Sequence, residues 1–366
     1  MKSFKRVLSL ILCALMCISA SPFGMGVFAA DCAHTYANVE ENESFAYYGC
    51  SKCGEVVDTK PVIFFSYATG NNDNDGFTAA TAVKTMKTAF IRLASYGVGG
   101  TAVLCGQTRI NGTNYQLSDV GGTVTVTSVF NDVDYRETQG AKINMSLSLY
   151  LNGAFTFENV TMHMTATNVM FVCNYNNVTI GSGVACTVES TYKYPVFVAG
   201  INMGNAGSPD SETDLAHDCS IVINGGEWQY IRAGNRRQTG AMPIGRILED
   251  ASLTITVNGG TFHNGGSTAP SAATGMNSVY GTCSLIINGG SFDSNICGVG
   301  RVGTNSGGFA NEMAGTVNIE INGGTITGTI KAIQDETSNA TGKVNVTCKA
   351  EYESKLQGNF ASTTIK

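Results

Sequence analysis

Positive charge is scarce in this chain: 22 Lys and Arg stand against 28 Asp and Glu, for a net charge of -6. Such a surface does not attract phosphate backbones, which argues against nucleic acid as a partner. It also repels acidic polysaccharides unless a cation bridges the two. Charged residues of either sign make up only 14% of the chain, while Gly, Asn, Thr, Ser and Val are plentiful. That composition suits many short strands joined by turns. Long apolar runs are lacking too: beyond residue 30 no stretch approaches the roughly eighteen apolar residues of a membrane span. Histidine is rare, and His163, His217 and His263 have no partner that the sequence names.

The first thirty residues stand apart. "MKSFKRVLSLILCALMCISASPFGMGVFAA" places Lys2, Lys5 and Arg6 before an apolar run, then small residues suited to cleavage near Ala29 or Ala30. This is the layout of a secretory signal, with an N-terminal membrane anchor as the other reading. Its removal takes away three positive charges and no negative ones, moving the net charge from -6 to -9. The expected mature protein is secreted, extracellular or loosely held at the cell surface, with no membrane association after cleavage.

What the chain does have is repetition. "CSIVINGGEW", "LTITVNGGTF", "CSLIINGGSF" and "VNIEINGGTI" align on Asn224, Asn258, Asn288 and Asn322, at intervals of 34, 30 and 34 residues. One residue before each Asn stand Ile223, Val257, Ile287 and Ile321; three before stand Ile221, Ile255, Leu285 and Ile319. Five before stand Cys219, Leu253, Cys283 and Val317, and four after stand Trp228, Phe262, Phe292 and Ile326. Odd offsets are apolar and the residues between are mostly polar or small, the period-two pattern of strands with one buried face. Asn-Gly between apolar runs also suits a two-residue hairpin, hence a β-sandwich. A near-constant period with like residues in each column favours a solenoid instead.

Intervals near thirty leave room for about three short strands per coil, with Asn and Gly taking left-handed backbone at the corners. "LSLYLNGAF" (147–155) shows the same columns, and "NNVTIGSGV" (176–184) and "VNVTC" (344–348) read as degenerate coils. The predicted fold is all-β: a right-handed parallel β-helix solenoid over residues 101–366. Adjacent coils lie about 4.8 Å apart. Cys219 and Cys283 are two coils apart, beyond the roughly 7 Å that a disulfide spans, and read as small apolar core residues. Cys173, Cys186, Cys297 and Cys348 read the same way, although an adjacent pair could close. Coils stabilise one another only as a stack, so the open ends need covers.

Residues 61–100 supply the upstream cover. "YATGNNDNDGFTAATAVKTMKTAFIRLASYG" passes from a polar turn cluster into an amphipathic helix with Val83, Met86, Ala89, Phe90 and Leu93 on one face. "GGTAVLCG" and "GGTVTVTS" follow as the first two coils. This segment resembles the leading motif of secreted bacterial right-handed parallel β-helix proteins, the pectin-lyase-like superfamily. The matching residues are Gly70, Asn71, Asp75, Gly76, Thr78, Thr81, Ala82, Lys84 and Thr85. Asn72 stands where Asp is usual, with a new acid at Asp73. The resemblance covers about forty residues and implies contact with complex carbohydrate, in a superfamily that holds polysaccharide lyases, glycoside hydrolases, adhesins and passive scaffolds.

Three sets of residues carry candidate chemistry. In the mini-module 31–58, Cys32, His34, Cys50 and Cys53 supply three thiolates and an imidazole, a donor set for a structural zinc clip. It looks like small Cys/His modules of exported proteins from Gram-positive anaerobes; a disulfide or free thiols are the other readings. Asn71, Asp73 and Asp75 alternate before Gly76 as in the opening of a calcium loop, but Ala82 occupies the position of the closing acid. A looser calcium site at Asp73 and Asp75 competes with a plain helix-capping turn. Finally, the long insertions "NMGNAGSPDSETDLAHD" and "IRAGNRRQTGAMPIGRILED" could wall a groove with Arg232, Arg236, Arg237, Arg246, Glu249 and Asp250.

By the resemblance, eliminative lysis would use a Lys or Arg base near a cation. Hydrolysis needs two facing carboxylates. Arg237 and Arg301 share a column two coils apart and, with Glu249 and Asp250, are the candidate catalytic residues. The Asp-Asp pair and Arg-Ile-Lys run of pectin hydrolases and the Arg-x-Pro-x-x-Arg of pectate lyases are missing, so arginines paired with nearby acids are the plainer reading. The expected function is non-catalytic binding of a polysaccharide or cell-surface glycan, or extracellular contact. The alternative is a carbohydrate-active enzyme, most plausibly a polysaccharide lyase.

Overall fold

The alternating columns build strands that return to the same face once per coil. A computed structural model of the chain describes residues 61–110, 112, 116–189, 193–200, 214–232, 246–263, 279–299, 314–333 and 343–366, with short backbone stretches at 36–41, 46–50 and 56–57. Eleven strands form one long sheet in the order of the chain, from Val62–Phe65 through Gly100–Leu104 and Val124–Thr127 to Ser362–Ile365. Every pairing within it is parallel. In most coils from Gly100 onward, the chain visits a second face and then a third between consecutive long-sheet strands. Cys219–Ile223 is followed by Glu227–Trp228 and then Ile231–Arg232 before the long sheet resumes at Ser252–Val257. The second face comprises two four-stranded sheets, and the third a five-stranded and a three-stranded one, with all pairings again parallel. The protein is therefore all-β with a long parallel sheet and a solenoid order of strands. Consecutive Asn-Gly-Gly phrases run parallel, which removes the hairpin alternative.

The columns hold residue by residue. Cys219, Leu253, Cys283, Val317 and Val344 are in register, as are Ile221, Ile255, Leu285, Ile319 and Val346, and all are buried. Trp228, Phe262, Phe292 and Ile326 stack on the second face; the Phe262 and Phe292 rings lie 4.5 Å apart and 7° from parallel. A buried aromatic run of Phe157, Phe171, Phe197 and Trp228 fills the neighbouring coils at centroid spacings of 5.1 to 5.7 Å. Each such side chain contributes roughly 1.5–3 kcal/mol of burial.

The Asn-Gly-Gly corner divides its work differently from the left-handed Asn expected. Each Asn side chain donates to the one before: Asn258 to Asn224, Asn288 to Asn258 and Asn322 to Asn288, at 2.8, 2.9 and 2.9 Å. The left-handed backbone falls on the second Gly, with φ of 85°, 97°, 89° and 94° at Gly226, Gly260, Gly290 and Gly324. The first Gly is needed for space. A Cβ on Gly259, Gly289 or Gly323 would lie 2.3–2.5 Å from the carbonyl oxygen of the Asn one coil earlier.

Two expectations about the coil frame are corrected. "LSLYLNGAF" does not share the frame of the four phrases: its Leu149–Leu151 strand belongs to the third face, and the long-sheet strand begins at Phe155. Asn-Gly marks a corner but not which one. The long sheet also starts before "GGTAVLCG", at Val62–Phe65, which pairs with Thr101–Leu104.

Between those first two strands lies helix α1 (Met86–Ala94), which buries Met86, Ala89, Phe90 and Leu93 against the strands beneath. Thr85 caps it, its hydroxyl accepting from Thr88 N at 3.1 Å. Asn72 accepts from Lys84 N and Thr85 N through its amide oxygen at 3.0 and 3.1 Å, which ties the polar turn to the start of the helix. All seven cysteines among the described side chains are free and buried: Cys105, Cys173, Cys186, Cys219, Cys283, Cys297 and Cys348. Residues Tyr36–Glu41, Ala46–Cys50 and Val56–Val57 form a small antiparallel sheet.

Candidate functional site

Arg236, Arg237 and Arg301 lie outside the described residues, as do Cys32, His34 and Cys53. Cys50 ends a strand of the small sheet, its backbone opposite Tyr36. Asp75 serves the turn before α1, accepting from Phe77 N at 2.9 Å and from the Thr81 hydroxyl at 2.5 Å, while Asp73 N donates to the Asn71 side chain at 3.3 Å. These bonds build the polar turn that precedes the helix. Among the described residues no three His, Cys, Asp or Glu side chains converge as a metal site.

Arg246 is held by Asp214 through three bonds, from its backbone N (2.9 Å), Nε (2.9 Å) and Nη2 (2.5 Å). The pair joins neighbouring coils, where Leu215, Ile247 and Val279 form a ladder of bridges. Arg232 is buried, its guanidinium over the Tyr230 ring at 4.7 Å and Nη2 donating to the Tyr230 hydroxyl. It stands at the end of a second apolar cluster on the outward side of the third face, made by Tyr150, Met170, Val172, Val196, Val198 and Tyr230. Glu249 and Asp250 are both exposed and line an open depression of about 430 Å³ with Ala216, Leu248, Ala251 and Tyr280. Among the described residues, that lining offers two acids and one aromatic ring but no Lys or Arg.

Two histidines, His163 and His263, have side-chain neighbours. His163 Nδ1 is 2.8 Å from the Thr187 hydroxyl, with Glu189 3.7 Å from Nε2. His263 stacks on Tyr194 at 4.2 Å and 9°. Neither contact was legible beforehand, because the partners lie 24 and 69 residues away.

The most extended polar surface is the outward side of the long sheet. Ser220, Thr254, Ser284, Asn318, Asn345 and Ser362 occupy one column over six consecutive coils. Five steps of about 4.8 Å make it roughly 24 Å long. Asn345 donates to Asn318 at 3.0 Å and Ser362 to Asn345 at 2.7 Å, which orients the amides along the column. In the adjoining column Thr101, Thr125, Thr156 and Thr179 follow without interruption. These residues stand between the buried ones in the sequence, so the alternation that reveals the core also reveals this face. No protein-family model, curated protein or solved structure matches this chain.

Proposed function

We propose that this chain is an exported right-handed parallel β-helix protein that binds a polysaccharide or cell-surface glycan on its long-sheet face without catalysis. The supporting observation is the six-coil column of Ser, Thr and Asn from Ser220 to Ser362. Hydroxyls and amides both donate and accept, as sugar hydroxyls do, and each net bond contributes about 0.5–1.5 kcal/mol. The spacing of the column, about 4.8 Å per coil, is close to the advance of one sugar along an extended β-linked chain. The depression at Glu249 and Asp250 supports the alternative of a carbohydrate-active enzyme less well, because its described lining carries no Lys or Arg to act as a lyase base.

The test is retention on a panel of insoluble and arrayed polysaccharides, run in parallel with an absorbance assay for unsaturated products in the presence of calcium. Retention without absorbance is expected, and Thr254→Val with Ser284→Ala weakens it about tenfold, as loss of about 1.4 kcal/mol does. Unsaturated product, or undiminished retention of the double variant, overturns the reading.

A further inference from the structure

The outward side of the long sheet holds a second periodicity, longer than one coil. Strands Cys219–Ile223, Ser252–Val257, Thr282–Ile287 and Thr316–Ile321 lie in register without a shift. Each turns two mid-strand residues outward between its buried ones. On the first strand these are Ser220 and Val222, and on the third Ser284 and Ile286. On the second they are Thr254 and Thr256, and on the fourth Asn318 and Glu320. A hydroxyl beside an aliphatic side chain therefore alternates, coil by coil, with a pair of polar side chains. All of them reach solvent, Ser220 exposed and the others half-buried.

Packing does not impose this alternation: the buried columns of Ile221 and Ile223, which flank Val222, stay aliphatic through all four coils. Coils stand about 4.8 Å apart, so like pairs recur roughly every 9.6 Å. Along one side runs the Asn ladder, whose amides already bond to one another, Asn258 to Asn224 at 2.8 Å and Asn288 to Asn258 at 2.9 Å. On the other side Asp218 Oδ1 accepts from the Ser252 hydroxyl at 2.6 Å. Within the four pairs the single charge is Glu320, which accepts from Lys366 Nζ at 2.5 Å. The pairs thus offer hydroxyls, an amide and aliphatic patches, and they contain no cation.

We propose that these four coils bind a neutral, unbranched β-1,4-linked polysaccharide, one sugar per coil, with its axis across the strands. The inference rests on the glycan reading and deepens it by naming the polymer. In such a chain successive sugars face opposite ways, so the same edge returns at every second sugar. The same residue pair returns here at every second coil. Val222 and Ile286 take the C–H groups of alternate sugars out of water, while Ser220, Thr254, Ser284 and Asn318 bond the hydroxyls. A uronate polymer would bring a carboxylate with every sugar, and covering each without a cation is unfavourable. An α-linked chain curves away from a straight row. The alternation ends at the next coil, where Asn345 and Thr347 follow Asn318 and Glu320, so the site holds two repeats of the polymer.

The experiment measures binding of the full chain to cellohexaose, mannohexaose, maltohexaose and hexagalacturonate by titration calorimetry. At least one of the two neutral β-linked hexamers is expected to bind, about tenfold or more tighter than the α-linked and acidic ones. Val222→Thr with Ile286→Thr keeps side-chain shape and strand preference but erases the alternation, and weakens binding about tenfold as two apolar contacts are lost. Ile286→Val stays aliphatic and retains most of the binding, and thermal unfolding of each variant confirms the fold. Equal binding of maltohexaose or hexagalacturonate overturns the inference, as does an unaffected double variant or the failure of both β-linked hexamers. If it is overturned while Thr254→Val with Ser284→Ala still weakens retention on another polysaccharide, the long-sheet reading stands; if that variant also changes nothing, both fall.

Discussion

Replacing Gly289 by Ala tests whether coils are in contact at their corner. Unlike Gly290, Gly289 does not adopt a positive φ, so its backbone suits an L residue. The effect comes from the added methyl, which would lie 2.3 Å from Asn258 O and 3.1 Å from Asn258 C. Relief to an ordinary contact of about 3.5 Å requires the two coils to part by roughly 1 Å. The bonds Asn288 N to Val257 O (2.8 Å) and Asn288 to Asn258 through their side chains (2.9 Å) flank that point and stretch with it. Overpacking of this kind costs about 1–3 kcal/mol, and loss of one ladder bond adds about 1 kcal/mol. The expected destabilisation is about 2–4 kcal/mol, read as a lower denaturant midpoint. Gly140→Ala is the control: φ is 61° and nothing lies within 4 Å of the new Cβ, so only the left-handed backbone is penalised, by about 1–2 kcal/mol. If Gly289→Ala is no worse than Gly140→Ala, the coils do not approach at this corner and the stacking argument fails.

Trp228, the chain's single Trp, is buried with Nε1 donating to Gly225 O at 3.0 Å; native fluorescence is expected to be blue-shifted and shielded from acrylamide, and early quenching would contradict its place in the core. Burial pushes the Cys186 and Cys219 thiols up from 9.0 to about 12 and Cys105 to about 11, and raises Cys173 and Cys283 as well. A raised folded pKa contributes stability that is complete below the unfolded value and lost as pH climbs through the folded one, so stability falls above pH 9 by up to about 1.4 kcal/mol per unit per thiol; a flat profile from pH 9 to 11, or rapid native alkylation at pH 8, refutes this. If Cys32, His34, Cys50 and Cys53 clip a zinc ion, the purified chain carries one equivalent, which Cys50→Ser with Cys53→Ser abolishes; a metal-free protein with two thiols missing from the titration favours a disulfide instead.

The core was legible because strand alternation repeats at a nearly fixed interval: Ile221, Ile255, Leu285 and Ile319 were aligned without coordinates and are stacked in register. The helix face of Met86, Ala89, Phe90 and Leu93 was equally plain, but Val83, placed on that face by its spacing, precedes the helix and forms a parallel bridge with Phe65 instead. The frame of Leu147–Phe155 was not, because its Asn-Gly has the same local chemistry at a different corner. The work of Asn288 was misjudged for a related reason: a side chain that bonds to its own copy one coil away looks, within a single coil, like a turn former. The contacts of Lys84 and Arg109 with the Tyr67 ring were not legible, because the three residues are 17 and 25 positions apart in the chain and meet only when it folds.

The register of the long sheet has one more implication. Ser252 lies directly above Thr282, and every residue through Val257 above its counterpart through Ile287, so excising a full turn would rejoin the chain to an equivalent partner. Length is then an adjustable quantity for this molecule, set in increments of about one turn, and its reach could be shortened or extended without redesigning what remains.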